Sequence, residues 1–247
     1  MLPKDLDWAR WYKDVHTGVG HLERAYSPSR LLDVLQEYFP RGSNARILEL
    51  GCAPGRWLAW LQQRVGVQPF GVELDEAGVR LTRKLYPRLA VARADALALP
   101  FDAESFDGVY SIGLIEHFAD PTPILREACR VLRRGGVSIW EVPNLGRGAL
   151  CRWHWQRSKR FQYEAHRAYE LSELSDVVRR SGFHVDRAFH TGLYVPHLQR
   201  VLGLLPFKRL LSRFEEPWLA AFQVVVARPN YALSEPPSAR ATRSRQE

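Results

Sequence analysis

Three carboxylates and a pair of glycines in the first half of the chain have the types and spacing to hold a nucleoside-like ligand. Gly51-Cys52-Ala53-Pro54-Gly55 follows directly on the apolar run Ile47, Leu48, Leu50. The helical pattern Trp57, Leu58, Trp60, Leu61, Val65 comes next. Strand, tight turn, helix puts the turn at the carboxyl end of a strand, where open α/β sheets bind their ligands. Glycine lets the backbone turn sharply and approach a ligand with no Cβ between them. The start of the following helix offers unpaired N–H groups. Glu49 stands just before the turn. Glu73 lies near the end of a second strand-like stretch, Gln68 to Asp75, 18 residues after Gly55. An acid about 20 residues beyond a glycine turn can accept hydrogen bonds from ribose hydroxyls. Asp95, followed by Ala96, closes a third short apolar run. The spacing Gly51-x-x-x-Gly55 lacks the full dinucleotide fingerprint, and no Lys-Ser/Thr makes it a phosphate loop.

A second set could move a proton. His117, in Ile115-Glu116-His117-Phe118, stands just beyond the apolar run Phe106–Ile112. A histidine titrating near neutrality could deprotonate a phenol or a similar acceptor. The alternative is that Glu116 and His117 only open the loop and helix framing the cleft. His166 is a second candidate, and Tyr12 and His16 are lesser ones. The three cysteines, Cys52, Cys129 and Cys151, form no metal pattern, and an odd count is no disulfide framework. Cys52 reads as a small residue in the turn, with no base beside it to make it a nucleophile.

Regular elements must position these groups. Ser27-Pro28-Ser29 reads as a helix start, with an apolar face of Leu31, Leu32, Leu35, Tyr38 and Phe39 closed by Pro40-Arg41-Gly42. A helix over 75–85 stops before Pro87. Residues 89–94 form a third strand and 106–112 a fourth, with Ser111 and Ile112 at its carboxyl end. Pro121–Leu132 is a helix capped by Asp120 and closed by Arg133-Arg134-Gly135-Gly136. Strands follow over 137–142, 183–189 and 218–227, with a helix over 171–181. In the fourth strand Phe106, Val109, Tyr110 and Ile112 are apolar, as in parallel strands buried on both faces.

The blocks ELGCAPG, GVELD, ADALALPFDAESFDGVYSIGLIEHF and REACRVLRRGGVSIWEVPN resemble the class I S-adenosylmethionine-dependent methyltransferases. Within that class they are similar to the small-molecule group of ubiquinone- and menaquinone-biosynthesis methyltransferases. The resemblance runs from Arg46 to Asn144, with Ala53 in place of the usual middle glycine and Pro54 in the turn. It implies a Rossmann-like, doubly wound α/β fold. The seven-stranded sheet would be mostly parallel with one antiparallel strand and helices on both faces. It implies S-adenosylmethionine as cofactor. Glu49 would orient the methionine amino group, and Gly51, Cys52, Ala53 and Gly55 would shape the turn beneath it. Glu73 would take the ribose, Leu74 would be a further cofactor-binding residue, Asp95 with Ala96 would take the adenine, and Ser111 and Ile112 would lie near the methionine end. The acceptor would be a small or lipid-like molecule methylated on O, C or N. An RNA substrate, or cofactor binding without catalysis, stays open as an alternative.

At 247 residues and 46% hydrophobic content, the chain suits one α/β domain with insertions. We expect a cap segment over 1–27, the main domain over 28–230, and a disordered tail over 231–247. The insertions are expected at 144–169 and 191–217. The first carries Arg147, Arg152, Arg157, Lys159, Arg160 and Arg167 against Glu164, a balance of +5, interleaved with aromatics. It could bind an anionic, planar or membrane-bound substrate, or be a solvated excursion. The second is basic and amphipathic, a candidate for peripheral membrane contact or an apolar pocket. The net charge of +8 permits nucleic acid as a partner, but no separate RNA-binding module and no Asn-Pro-Pro-Tyr tetrad accompany it, so nucleic acid is not expected. No run approaches the ~20 apolar residues of a membrane span. The charged start MLPKDLDWARWYKDV lacks a signal-peptide core, so a cytoplasmic protein is expected. Oligomeric state is not legible.

Overall fold

The computed structural model describes residues 18–26, 30–39, 42, 44–158, 163–194 and 216–230. Most of the expected cap (with Tyr12 and His16), the heart of the 191–217 insertion and the tail lie outside the described residues. Seven strands form one sheet: β1 Arg46–Leu50, β2 Gln68–Glu73, β3 Ala90–Arg93, β4 Phe106–Ile112, β5 Leu132–Pro143, β6 Phe183–Leu193 and β7 Ala220–Pro229. Their order is β3-β2-β1-β4-β5-β7-β6. The first five pair in parallel, and β7 runs antiparallel to both β5 and β6. The order reverses at β1, between β2 and β4. That switch point opens the crevice in which such sheets bind ligands.

The apolar runs read as they do because both faces of the sheet are covered. Successive strand side chains point to opposite faces. Leu48, Val109, Trp140 and Val225 join one core, while their neighbours Ile47, Tyr110, Ile139 and Val224 join the other. Among the described residues the α-helices are α1 Val19–Tyr26, α2 Leu31–Tyr38, α3 Arg56–Trp60, α4 Glu76–Leu85, α5 Thr122–Val131, α6 Leu150–Arg157 and α7 Leu171–Arg180. The first core takes Ile124, Leu125 and Ala128 of α5 and Leu174 and Val178 of α7. The second takes Leu22 of α1, Leu31 and Leu35 of α2, and Trp57 and Trp60 of α3.

The differences from expectation have local causes. Helix α3 runs on into a π-helical turn, Leu61–Val65, which Gly66 closes by donating its N–H to Leu61 O at 2.9 Å. Arg133 to Gly136 do not only terminate a helix. Leu132 already pairs with Phe106, and the next four residues bulge before Val137 pairs with Gly108. Strand β6 continues to Leu193, beyond the expected 189, because Thr191 and Leu193 pair with Phe222 and Ala220 of β7. Residues 191–193 are therefore sheet, not insertion. The first insertion is packed in its described part. Leu145, Cys151 and Tyr169 are buried, and Leu145 and Cys151 cluster with Tyr194 and Ala221.

Candidate active site

The turn after β1 is held from both sides. The amides of Gly51 and Cys52 donate to Val72 O on β2, at 2.9 and 3.0 Å. Gly51 and Gly55 adopt φ of +72° and +84°, a left-handed backbone that costs any residue with a Cβ. At Gly55 space is also short, since a Cβ would meet Thr82 Cγ2 of α4 at 2.4 Å. Across the crevice a Cβ on Gly71 would meet Cys52 Sγ and Leu58 Cδ1, both at 2.6 Å. The turn is thus packed tightly on β2 and α4. The Ala53–Pro54 peptide is cis.

Glu73, at the tip of β2, is fixed by backbone. Its Oε2 accepts from Ala53 N–H at 3.3 Å and its Oε1 from Asp75 N–H at 2.9 Å. Burial raises its carboxyl above the ordinary range, against the pull of these two bonds. Glu49, buried on β1, accepts from the Tyr110 hydroxyl at 2.9 Å. Burial also pushes its pKa well up, while the Tyr110 bond and the charge of Arg56 pull it down. Tyr110 sits inside an apolar run, so its polar role was not visible in the sequence.

Asp95, after β3, is exposed, and its Oδ1 accepts from Leu97 N–H at 2.9 Å. Ala96 is half-buried beside it. Leu74 is 42% exposed, an apolar side chain left at the crevice edge. Ser111 is fully buried at the end of β4, and its Oγ has no hydrogen-bond partner among the described residues. Ile112 is half-buried next to it. Burial and the acids Glu49 and Glu73 raise the Cys52 thiol well above its usual pKa, which disfavours a thiolate nucleophile.

A second group gathers past the end of β4. The 3₁₀ turn Ile115–His117 buries Glu116 and His117. His166, from the first insertion, lies against His117 with ring centroids 4.4 Å apart. Trp155 of α6 meets the other ring edge-on at 5.1 Å. His117 Nδ1 is 3.2 Å from Ala165 O. Burial, and then the charge of His166, lower the His117 pKa to about 4. The ring is therefore neutral at pH 7, and the near-neutral titration expected from residue type gives way to its surroundings. Burial raises Glu116 to about 8, and its Oε2 has no partner among the described residues. Glu141, buried on β5, is likewise raised by burial and then by Glu116. Its one signal in the sequence was an acid inside the apolar run 137–142. Gln223 of β7 ties this region together. Its Nε2 donates to Asn144 Oδ1 at 3.0 Å and to Tyr169 O at 2.9 Å.

The structure therefore brings Glu49, the 51–55 turn and Glu73 to one crevice at the carboxyl ends of β1 and β2. It gathers Glu116, His117 and His166 beyond the end of β4. Acids that accept from hydroxyls and amines, a turn without obstructing Cβ atoms and an exposed leucine suit a nucleoside bearing an amino acid.

Known proteins similar to this chain are methyltransferases. The sequence profile of the methyltransferase-domain family matches residues 48–140. O-methyltransferase resE of Aspergillus sclerotiorum is 30% identical over 195 residues, which is 70% of this chain and 71% of that protein. Methyltransferase GfsG of Streptomyces halstedii is 30% identical over 118 residues, 45% of this chain and 42% of its own length. The chain spans about two-fifths of the length of several curated relatives that it matches. Among solved structures, phosphoethanolamine N-methyltransferase 2 of Haemonchus contortus in complex with S-adenosyl-L-methionine superposes with a TM-score of 0.60. That match covers 92% of this chain and 61% of the other at 16% identity, a likeness of fold.

Proposed function

The chain belongs to the class I S-adenosylmethionine-dependent methyltransferases, and on that premise we propose that it methylates a hydroxyl oxygen of a small, ring-bearing or lipid-like acceptor. The observation that carries the reading is the Glu73 carboxylate, presented at the switch-point crevice by amides from the turns after β1 and β2. When bound, S-adenosylmethionine supplies a methyl group already activated on a positively charged sulfur. The protein's task is then to orient the two reactants in line and keep water out.

Glu73 accepts from the ribose hydroxyls. Asp95 and Ala96 meet the adenine edge, and Leu74 covers its face. Glu49, held by Tyr110, orients the methionine amino group directly or through water. The turn 51–55 lets the backbone lie close under the amino-acid portion, and Ser111 and Ile112 border that end. The acceptor lies toward Glu116, His117 and the first insertion, whose packed residues exclude water. Oxygen as the methylated atom is supported by the name of the resE relative and by that of another relative, 27-O-demethylrifamycin SV methyltransferase. The sequence resemblance to quinone-pathway methyltransferases keeps phenols and quinols first among acceptors.

Two measurements test this. Calorimetric titration with S-adenosylmethionine and S-adenosylhomocysteine should give saturable binding of both. Release of S-adenosylhomocysteine should then be followed with phenols, quinols and hydroxylated lipids against matched amines. Turnover with amines alone would overturn the oxygen reading, and no binding of either nucleoside would overturn the whole.

A further inference from the structure

We propose that Glu116, His117 and His166 form a binding site for a divalent first-row transition-metal ion, which fastens the first insertion to the turn behind β4. One carboxylate oxygen and one nitrogen from each histidine lie within 4.8 Å of one another. Ligands at ~2.0–2.2 Å from a tetrahedral ion sit closer together than that. The three side chains therefore close on the ion by small side-chain rotations. Two imidazoles and a carboxylate are a donor set for zinc, iron, cobalt or nickel rather than for calcium or magnesium, which take all-oxygen cages.

Two further observations point to a ligand here. The Glu116 side chain is 98% buried by residue exposure, yet its Oε2 has no hydrogen-bond partner and the residue has no ion-pair partner among the described residues. Burial makes this carboxyl costly to ionise, and a cation that it ligates offsets that cost. His117 Nδ1 lies 3.2 Å from the Ala165 carbonyl, the kind of outer contact a metal-ligating histidine makes, and the backbone of Gly113 also hydrogen-bonds the ring. Ala165 adjoins His166, so the same short segment orients one ligand and supplies another. Trp155 meets the His166 ring edge-on at 5.1 Å, which limits its swing.

The ligands come from two places, the 3₁₀ turn after β4 and the far end of the insertion. Binding would cross-link them. Three protein ligands also leave a tetrahedral ion one open position, the arrangement of catalytic rather than closed structural sites. The inference goes beyond methyl transfer and stands on side chains assigned no part in holding the cofactor.

The test uses the full chain, stripped with a chelator and titrated with cobalt(II) chloride while the visible d–d bands are followed. The wild type should take one equivalent and yield it to zinc(II). His166→Ala and Glu116→Gln should each weaken cobalt binding at least about tenfold, and His166→Cys, which restores a ligand, should bring it back. A wild-type chain that shows no band overturns the proposal. So does an undiminished band in His166→Ala or Glu116→Gln, or a His166→Cys chain that binds no better than His166→Ala. S-adenosylmethionine affinity is measured on the same samples. Its absence would sink the methyltransferase reading and leave the metal result standing, while a failed cobalt titration with normal cofactor binding would sink the metal site alone.

Discussion

Ala53 N–H donates to Glu73 Oε2 at 3.3 Å, a bond across 20 residues that ties the turn after β1 to the tip of β2. The carboxylate is thereby aimed before any ligand arrives. Pre-orientation lowers the ordering cost of binding. It also makes Glu73 the most exacting residue of the proposed cofactor site. Glu73→Ala should weaken S-adenosylmethionine binding by about 1.5–3 kcal/mol, the worth of charge-assisted hydrogen bonds, with the fold retained by circular dichroism. Unchanged affinity in calorimetry would remove Glu73 from the ribose.

The raised pKa of Glu73 gives a second prediction, with two opposite trends. Ribose hydroxyls need an ionised acceptor, so cofactor affinity should fall as the pH drops through the folded-state pKa, which burial holds above 4.5. Stability of the unliganded chain responds the other way. The folded state holds this proton more tightly than the unfolded one. The Glu73 contribution to stability is therefore fully present below the unfolded pKa of about 4.3, and is lost as the pH rises through the folded value. Titrations and melting curves across this range should show both trends in the wild type and flatter ones in Glu73→Gln. Wild-type affinity that rises on acidification would refute the assignment.

Gly55 carries a prediction about stability. Its φ of +84° and the 2.4 Å from its ideal Cβ to Thr82 Cγ2 both penalise a side chain. Gly55→Ala should cost roughly 1–2 kcal/mol for the left-handed backbone and about 1–3 kcal/mol for overpacking. Chemical denaturation reads the sum. A loss under about 0.5 kcal/mol, the scale of a neutral surface change, would mean that the turn relaxes freely.

How far the sequence could be read depended on whether a group's role was local. Glu49, Glu73 and Asp95 stood out as candidates because strand-then-acid is a pattern along the chain. The sheet was visible because both of its faces are buried, which makes strands such as 106–112 continuously apolar. Tyr110 was not, because a tyrosine that holds Glu49 looks the same in one dimension as a tyrosine that only fills a core. His117 was found by type, but its lowered pKa depends on burial and on His166, 49 residues away. The end of β6 at Leu193 depends on pairing with Ala220, which no local alternation announces. In the first insertion, basic and aromatic composition left both a solvated excursion and a site open. The burial of Tyr169 and Leu145 depends on partners distant in sequence.

Gln223 supplies the last prediction, because it joins the proposed acceptor side to the sheet. Its side-chain amide serves Tyr169 O and Asn144 Oδ1, and Asn144 in turn donates to Pro217 O and Ala220 O. Gln223→Leu keeps the apolar bulk but leaves two buried acceptors without their donor, at about 1–3 kcal/mol for each such group. The expected loss of stability is therefore roughly 2–6 kcal/mol. Residues 49–55, 73 and 95 lie on or just after β1, β2 and β3 and keep their own bonds, so S-adenosylmethionine affinity should stay within about twofold of the wild type, the effect of a few tenths of a kcal/mol. The segment carrying Tyr169 and His166 loses an anchor, so the acceptor KM should rise more than kcat falls. Steady-state kinetics at saturating cofactor separates the two. An unchanged acceptor KM with the stability loss present would confine Gln223 to the fold and move the acceptor away from the first insertion.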